Sequence, residues 1–352
     1  MNWLPNRRLG CLEDRVNLAN HGGYRVPTDN NNYLHVSTIA GILRIVQASR
    51  SSISFGIKSI STFRNNFTMS STATVTVAAS SSLNVGNGKD GKPKRLHQIP
   101  QFQTKEETRR WQLEQMTGAF RIFAKLGFAD GGSGHISLRD PVRPDTFWIN
   151  PYGVHFGLLT VSDMVHIDED GNRIGGGEKP VNTAGFIIHA AIHKRRPDIN
   201  AACHLHSPYG RAWSTFGKPI DMLNQDSCMF YKDLAVYGSF GGVVFAKEEG
   251  GRIADALGAA KNIILQNHGL LTAGGTIGEA AAFFIALERA CQTQLLVEAA
   301  MTPNGTQLKK SLVSDEEAQY TKDGTGTPEV MYMQFEPEYQ LILKETRGDF
   351  LQ

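Results

Sequence analysis

The sequence has little cysteine and no long apolar run. Its four cysteines, Cys11, Cys203, Cys228 and Cys291, are scattered through 352 residues without a CxxC pair. That spacing argues against a disulfide scaffold or a cysteine-based zinc finger, and a reducing, cytoplasmic setting is the expectation. No stretch of 18 or more apolar residues occurs, so nothing reads as a membrane-spanning helix. Neither sign of charge is in excess: 36 basic and 34 acidic residues leave a net charge of +2. That balance calls for neither nucleic acid nor a membrane surface as a partner. The start, Met1-Asn2-Trp3-Leu4-Pro5, lacks the basic opening and apolar stretch of a secretory signal. No internal repeat is visible.

What is present changes character near residue 95. Asn30 to Lys89 holds no Asp or Glu but carries Arg44, Arg50, Lys58 and Arg64. Such an acid-poor, Arg/Ser-rich tract resembles a mitochondrial transit segment, although Glu13 and Asp14 lie ahead of it. The plainer expectation is a disordered or non-native leader over 1–95, with a start near Met69. A folded domain is expected over 96–303 and a C-terminal extension over 304–352. Helical spacing runs from Thr104 to Lys125, Thr183 to Lys194, Lys247 to Leu257 and Thr276 to Ala300. A modest amphipathic stretch covers Val330 to Lys344. Strand patterns occupy His135–Arg139, Thr146–Asn150, Ala201–His206 and Asn262–Gln266, with a hairpin turn at 168–172. Interleaved strands and helices place the chain in the α/β or α+β class.

The strongest chemical signal is Cys203-His204-Leu205-His206-Ser207-Pro208. Residues two apart on a strand share a face, so His204 and His206 can reach one metal. A third histidine, His268, follows another apolar strand in Leu265-Gln266-Asn267-His268-Gly269. Three imidazoles with an open coordination position suit a catalytic zinc or iron ion. His189 and His193 lie four apart on one helix face without an HExxH glutamate, and read as helix packing or as groups behind the site. His155 is a further loop histidine. Cys203 is expected to face away from His204, into the core.

These residues carry a resemblance. Arg196-Pro197-Asp198, Ala201-Ala202-Cys203-His204-Leu205-His206-Ser207 and Gln266-Asn267-His268-Gly269-Leu270-Leu271 together resemble the class II aldolase/adducin family. So do Gly134-His135-Ile136-Ser137-Leu138-Arg139-Asp140, Asn150-Pro151-Tyr152-Gly153 and the helix from Glu279 to Glu288. The similarity spans roughly residues 105–300, about one domain. It implies a three-layer α/β/α sandwich around a mainly antiparallel sheet. It also implies metal ligation, usually of Zn²⁺, by His204, His206 and His268, and assembly as a homotetramer.

The departures from the family are informative. The acid/base glutamate of the family aldolases falls here at Gly185, which cannot transfer a proton. The paired serines that help hold phosphate are Thr183 and Ala184. The asparagine of the glycine-asparagine turn is His135, and the phosphate-binding threonine is Tyr152. A phosphorylated sugar is therefore a poor fit. His135, Ser137, Asn150, Tyr152, Gly153, Asn182 and Thr183 remain as candidate substrate-binding positions. Gln266, Asn267 and Ser207 are further polar candidates. The base is left open between hydroxide at the metal, Tyr231, Tyr237 and the substrate itself.

The leading expectation is a metal-dependent lyase, of aldolase or decarboxylase type, acting on a small unphosphorylated carbonyl or carboxylate compound. An Fe²⁺-dependent oxidative decarboxylase of the same family is the first alternative. An adducin-like partner of actin and the cytoskeleton is the second, although no long Lys-rich segment follows residue 300.

Overall fold

The structure, a computed structural model, describes residues 97–241, 247–301 and 308–352, and the backbones of five short strands before them. Apart from those strands, the expected leader and transit-like segment lie outside the described residues. The chain divides into two compact units, Met1–Ala73 and Thr74–Gln352. In the first, β1 (Tyr24–Pro27), β2 (Tyr33–Ile39) and β3 (Ile42–Val46) form an antiparallel three-stranded sheet. The second opens with a hairpin of β4 (Asn84–Asn87) and β5 (Pro93–Arg95).

From there the second unit builds a three-layer α/β/α sandwich. Helix α1 (Lys105–Lys125) starts where the Thr104 side chain accepts from the Glu107 amide and Glu107 reaches back to Thr104. Strands β6 (His135–Arg139), β7 (Phe147–Ile149), β8 (Val165–Ile167) and β9 (Arg173–Gly176) run as an antiparallel meander. The β8–β9 turn falls at the expected 168–172, where Gly171 takes a φ of 85°. Helix α2 (Thr183–Arg195) leads into β10 (Ala201–Leu205), followed by the short helices α3 (Pro208–Ser214) and α4 (Gln225–Cys228). Then come β11 (Leu234–Tyr237), α5 (Lys247–Leu257), β12 (Asn262–Leu265), β13 (Gly269–Gly274) and α6 (Ile277–Ala300). Helices α7 (Asp315–Thr325) and α8 (Pro328–Glu345) follow, and then a short 3-10 turn at Asp349–Leu351.

The sheet has eight strands in the order β11-β12-β13-β10-β6-β7-β8-β9. Only β11 and β12 pair in parallel; every other pair is antiparallel. Strand parity sorts the side chains between two cores. Ala201, Cys203 and Leu205 of β10 face α1, α6 and α8, beside Phe120, Phe283 and Phe335. Ala202 faces α2 and α5, beside Ile188, Ile192, Ile253 and Leu257. Cys203 is thus a core residue, and burial pushes its thiol pKa up. Helices α2 and α5 approach closely at Gly250, where an added methyl would meet the Ile187 carbonyl oxygen at 2.8 Å. In α8, beyond the expected end of the domain, Met331, Phe335, Tyr339 and Ile342 pack into the same core as α1 and α6. That helix is longer at both ends than the amphipathic stretch read from the sequence, and it includes Pro337.

Candidate metal centre

The sheet pairing gathers the histidines. His204 on β10 stands opposite His135 on β6, and β10 ends where β13 begins. The β12–β13 turn, with Asn267 at a φ of 58°, brings His268 to the same end of the sheet. Potential ligand nitrogens of His204, His206 and His268 all lie within 4.8 Å of one another. Their ring centroids are 4.7–5.2 Å apart and the rings meet edge-on. His204 Nδ1 lies 2.9 Å from the Leu270 carbonyl oxygen, which can only accept. Nδ1 therefore carries the hydrogen, and Nε2 keeps its lone pair for a metal. Burial holds the His204 pKa well below the usual imidazole range, with His268, His135 and His206 adding to the effect. Burial and then His206 bring His268 down to about 4. Neutral imidazoles are the ligating form, so donor type, spacing and tautomer all fit a divalent transition metal.

A cavity of about 660 Å³ opens onto this cluster. Of the seven candidate substrate-binding positions, His135, Tyr152, Asn182 and Thr183 line it. Asn182 also caps α2, its side chain accepting from the Gly185 amide at 3.1 Å. Ser137 and Asn150 are buried behind the lining. Asn150 bridges the turn before β6, accepting from the Ile136 amide at 3.3 Å and lying 3.4 Å from the Gly134 carbonyl. Gly153 shapes the following turn at a φ of 79°. Tyr237 sits beside His268 and Gln266 in a small recess, and its hydroxyl lies 2.7 Å from Glu249. Tyr231 is packed with Cys228 and Ala318, away from this cavity within the chain. Asn267 lines the cavity. The Ser207 hydroxyl instead donates to the buried Glu288 at 2.5 Å. His155 caps a turn, accepting from the Gly157 amide.

Sequence reading did not place Arg211 and Phe240 at the site, and it named the four residues of a second part without the link between them. Arg211 and Phe240 line the cavity from α3 and from the segment after β11. Arg211 pairs with Asp130 at 2.7 Å, and both side chains are half exposed. The second part lies below the floor. His135 Nδ1 is 2.8 Å from His189 Nε2, and His189 Nδ1 is 2.6 Å from Ser137 Oγ. Ser137 Oγ is 2.7 Å from His193 Nε2, and His193 Nδ1 is 3.1 Å from the Ile199 carbonyl. The available signal was parity: His135 and Ser137 share a strand face, and His189 and His193 share a helix face.

The comparisons agree with this architecture. The model of the family described as class II aldolase and adducin N-terminal domain matches residues 114–295, just over half of the chain. The chain is 41% identical over 251 residues to the meiotically up-regulated gene 14 protein of Schizosaccharomyces pombe, covering 71% of this chain and 96% of that protein. It is 44% identical over 209 residues to the decarboxylase NovR of Streptomyces niveus, covering 59% and 77%. Among solved structures, it is similar to L-fuculose 1-phosphate aldolase from Glaciozyma antarctica. That match has 43% identity and a TM-score of 0.66, and covers 72% of this chain and 96% of the other.

Proposed function

Because the chain belongs to the class II aldolase and adducin family, we propose that it is a metal-dependent lyase for a small unphosphorylated carbonyl or carboxylate compound. The observation that carries the reading is the trio of His204, His206 and His268 at the floor of an open cavity. They would hold Zn²⁺, with Fe²⁺ as the alternative. Such an ion supplies Lewis acidity, polarising a carbonyl oxygen and favouring negative charge beside it. The chain supplies the rest. The Leu270 carbonyl orients His204. Arg211 at the wall offers a planar donor fork suited to a carboxylate, once Asp130 yields its place. Tyr152 and Phe240 add aromatic surface to the cavity wall.

Two named relatives point in different directions, one a decarboxylase and one a sugar-phosphate aldolase. The cavity lining favours an unphosphorylated substrate. Ala184 lacks a hydroxyl, and Tyr152 is bulkier than the small donors a phosphate cradle uses. A thermal-shift screen of zinc-loaded protein tests this reading. Hydroxy-carbonyl compounds and 2-oxo acids should raise the melting temperature. A larger rise with L-fuculose 1-phosphate would refute the substrate assignment, and absence of bound metal after reconstitution would refute the enzyme assignment.

A further inference from the structure

The family glutamate is missing at Gly185, and the space above Gly185 is filled. A methyl group added there would collide with His135, with Nε2 the nearest atom. Two departures from the family pattern, at 135 and 185, therefore meet in one volume. We propose that His135 stands in for the missing carboxylate: a buried chain from His193 through Ser137 and His189 holds it as the Nδ1–H tautomer, leaving Nε2 as a proton acceptor beside the three-histidine centre.

The tautomer follows from donor and acceptor counting. The Ile199 carbonyl can only accept, so His193 Nδ1 carries a hydrogen. His193 Nε2 then accepts, and Ser137 must spend its single hydrogen there. Ser137 Oγ is left to accept from His189 Nδ1–H. His189 Nε2 is in turn an acceptor, and takes the Nδ1–H of His135. The last member in the row has one nitrogen left, Nε2, without a hydrogen. That atom lies over Gly185, on a ring that borders the cavity and whose centroid is 5.1 Å from that of His204. The counting requires neutral rings, and all three are buried away from solvent, with no carboxylate among their hydrogen-bond partners.

The inference rests on the lyase reading above. In the step it assigns, a substrate O–H or C–H bond breaks and its electron pair stays with the substrate. The proton forms a new N–H bond at His135 Nε2, while Nδ1–H remains on His189. The chain works as a lock rather than a wire. Passing the proton onward would move the charge from the cavity wall to His193, which is buried beside the Arg139 guanidinium. His135 would be the catalytic residue, and Ser137, His189 and His193 its positioning residues.

The first test is side-chain nitrogen NMR of full-length protein labelled with ¹⁵N-histidine, metal-free and zinc-loaded, with His135→Gln for assignment. The expected result is a protonated Nδ1 and a bare Nε2 at His135 in both states. Ser137→Ala should break the lock and populate the other tautomer. A protonated Nε2 in the unsubstituted protein overturns the proposal, as does a coordination shift showing Nε2 bound to zinc. The second test follows deuterium uptake from D₂O into hydroxyacetone. His135→Gln should slow exchange about 100-fold with zinc content unchanged. Ser137→Ala should lower kcat about 10-fold with little change in KM. Wild-type rates in His135→Gln, or no exchange by zinc-loaded wild type, overturn the acceptor role. Failure of the wild type to bind zinc would instead bring down the lyase reading itself, and the metal-free spectra still report the lock separately.

Discussion

Glu288, buried in the middle of α6, accepts a hydrogen bond of 2.5 Å from Ser207, the residue that follows the candidate ligand His206. The same carboxylate accepts from the amides of Tyr209 and Gly210, at 2.7 and 2.6 Å. A negative charge is thereby set at the start of α3, where unpaired amides favour it. The link fixes the chain just past the histidine-bearing strand β10 to the helical layer on the opposite side of the sheet.

Replacing Glu288 by Ala would leave a hydroxyl and two amides short of an acceptor. The expected cost is roughly 3 kcal/mol, or about 6 °C or more in melting temperature for a domain of this size. Glu288→Gln should cost less, because one acceptor oxygen remains. Thermal unfolding of the two variants checks the order. Metal affinity should fall in both, because His206 loses its anchor.

Metal content should follow strand parity. Purified without chelators, the protein should carry about one metal ion per chain. His204→Ala, His206→Ala and His268→Ala should each abolish this. Cys203→Ala, one residue from His204 but facing the other core, should leave it intact. Elemental analysis of the four variants decides the point, and loss of metal in Cys203→Ala would contradict the assigned faces.

Acid should destabilise the metal-free protein. Burial, aided by Arg139, lowers His193 to about 3. Below the unfolded value of 6.5 the unfolded chain takes up a proton that the folded chain refuses. Stability must therefore fall as pH drops from 6.5 towards 3, by roughly 3 kcal/mol at pH 4 from this group alone. Denaturant melts across that range should give the slope, and His193→Gln should flatten it.

Gly185→Ala tests the packing beneath the cavity. The new methyl must displace the His135 ring, which is itself tied to His189. Overpacking of this kind costs about 1–3 kcal/mol. A variant as stable as the parent would show that the ring moves aside freely.

Much of this was legible from sequence because local rules and the global fold agreed. Helical spacing marked the start of α1 at Thr104, and a capping box of Thr104 and Glu107 forms there. At α6 Thr276 and Glu279 stand at the same spacing, but only half the motif forms. The Thr276 side chain accepts from the Glu279 amide, but Glu279 turns to the Gly275 amide and Lys261. Its carboxylate found a cation across the fold, which sequence spacing does not encode. The pair His189 and His193 was read as helix packing or as groups behind the site, and both rings do lie behind the cavity in one hydrogen-bonded row. What stayed hidden was their partner, Ser137, because strand and helix meet only through long-range pairing. Arg211 and Phe240 escaped for the same reason. Among the described residues, no helix is long and apolar enough to cross a membrane, in keeping with the absence of long apolar runs.

Strand β10 pairs on both sides, with His204 opposite His135 on β6 and opposite Leu271 on β13. Side chains alternate along it, so a shift of one position would turn Cys203 and Leu205 towards the cavity and drive both histidines into the phenylalanine-rich core. A molecule that closed its sheet with that error would be faulty in its interior and blind to metal at once. Ion capture by the finished protein would thus be a proofreading signal. A chain that took up a metal there would report that the middle of its sheet is correctly threaded.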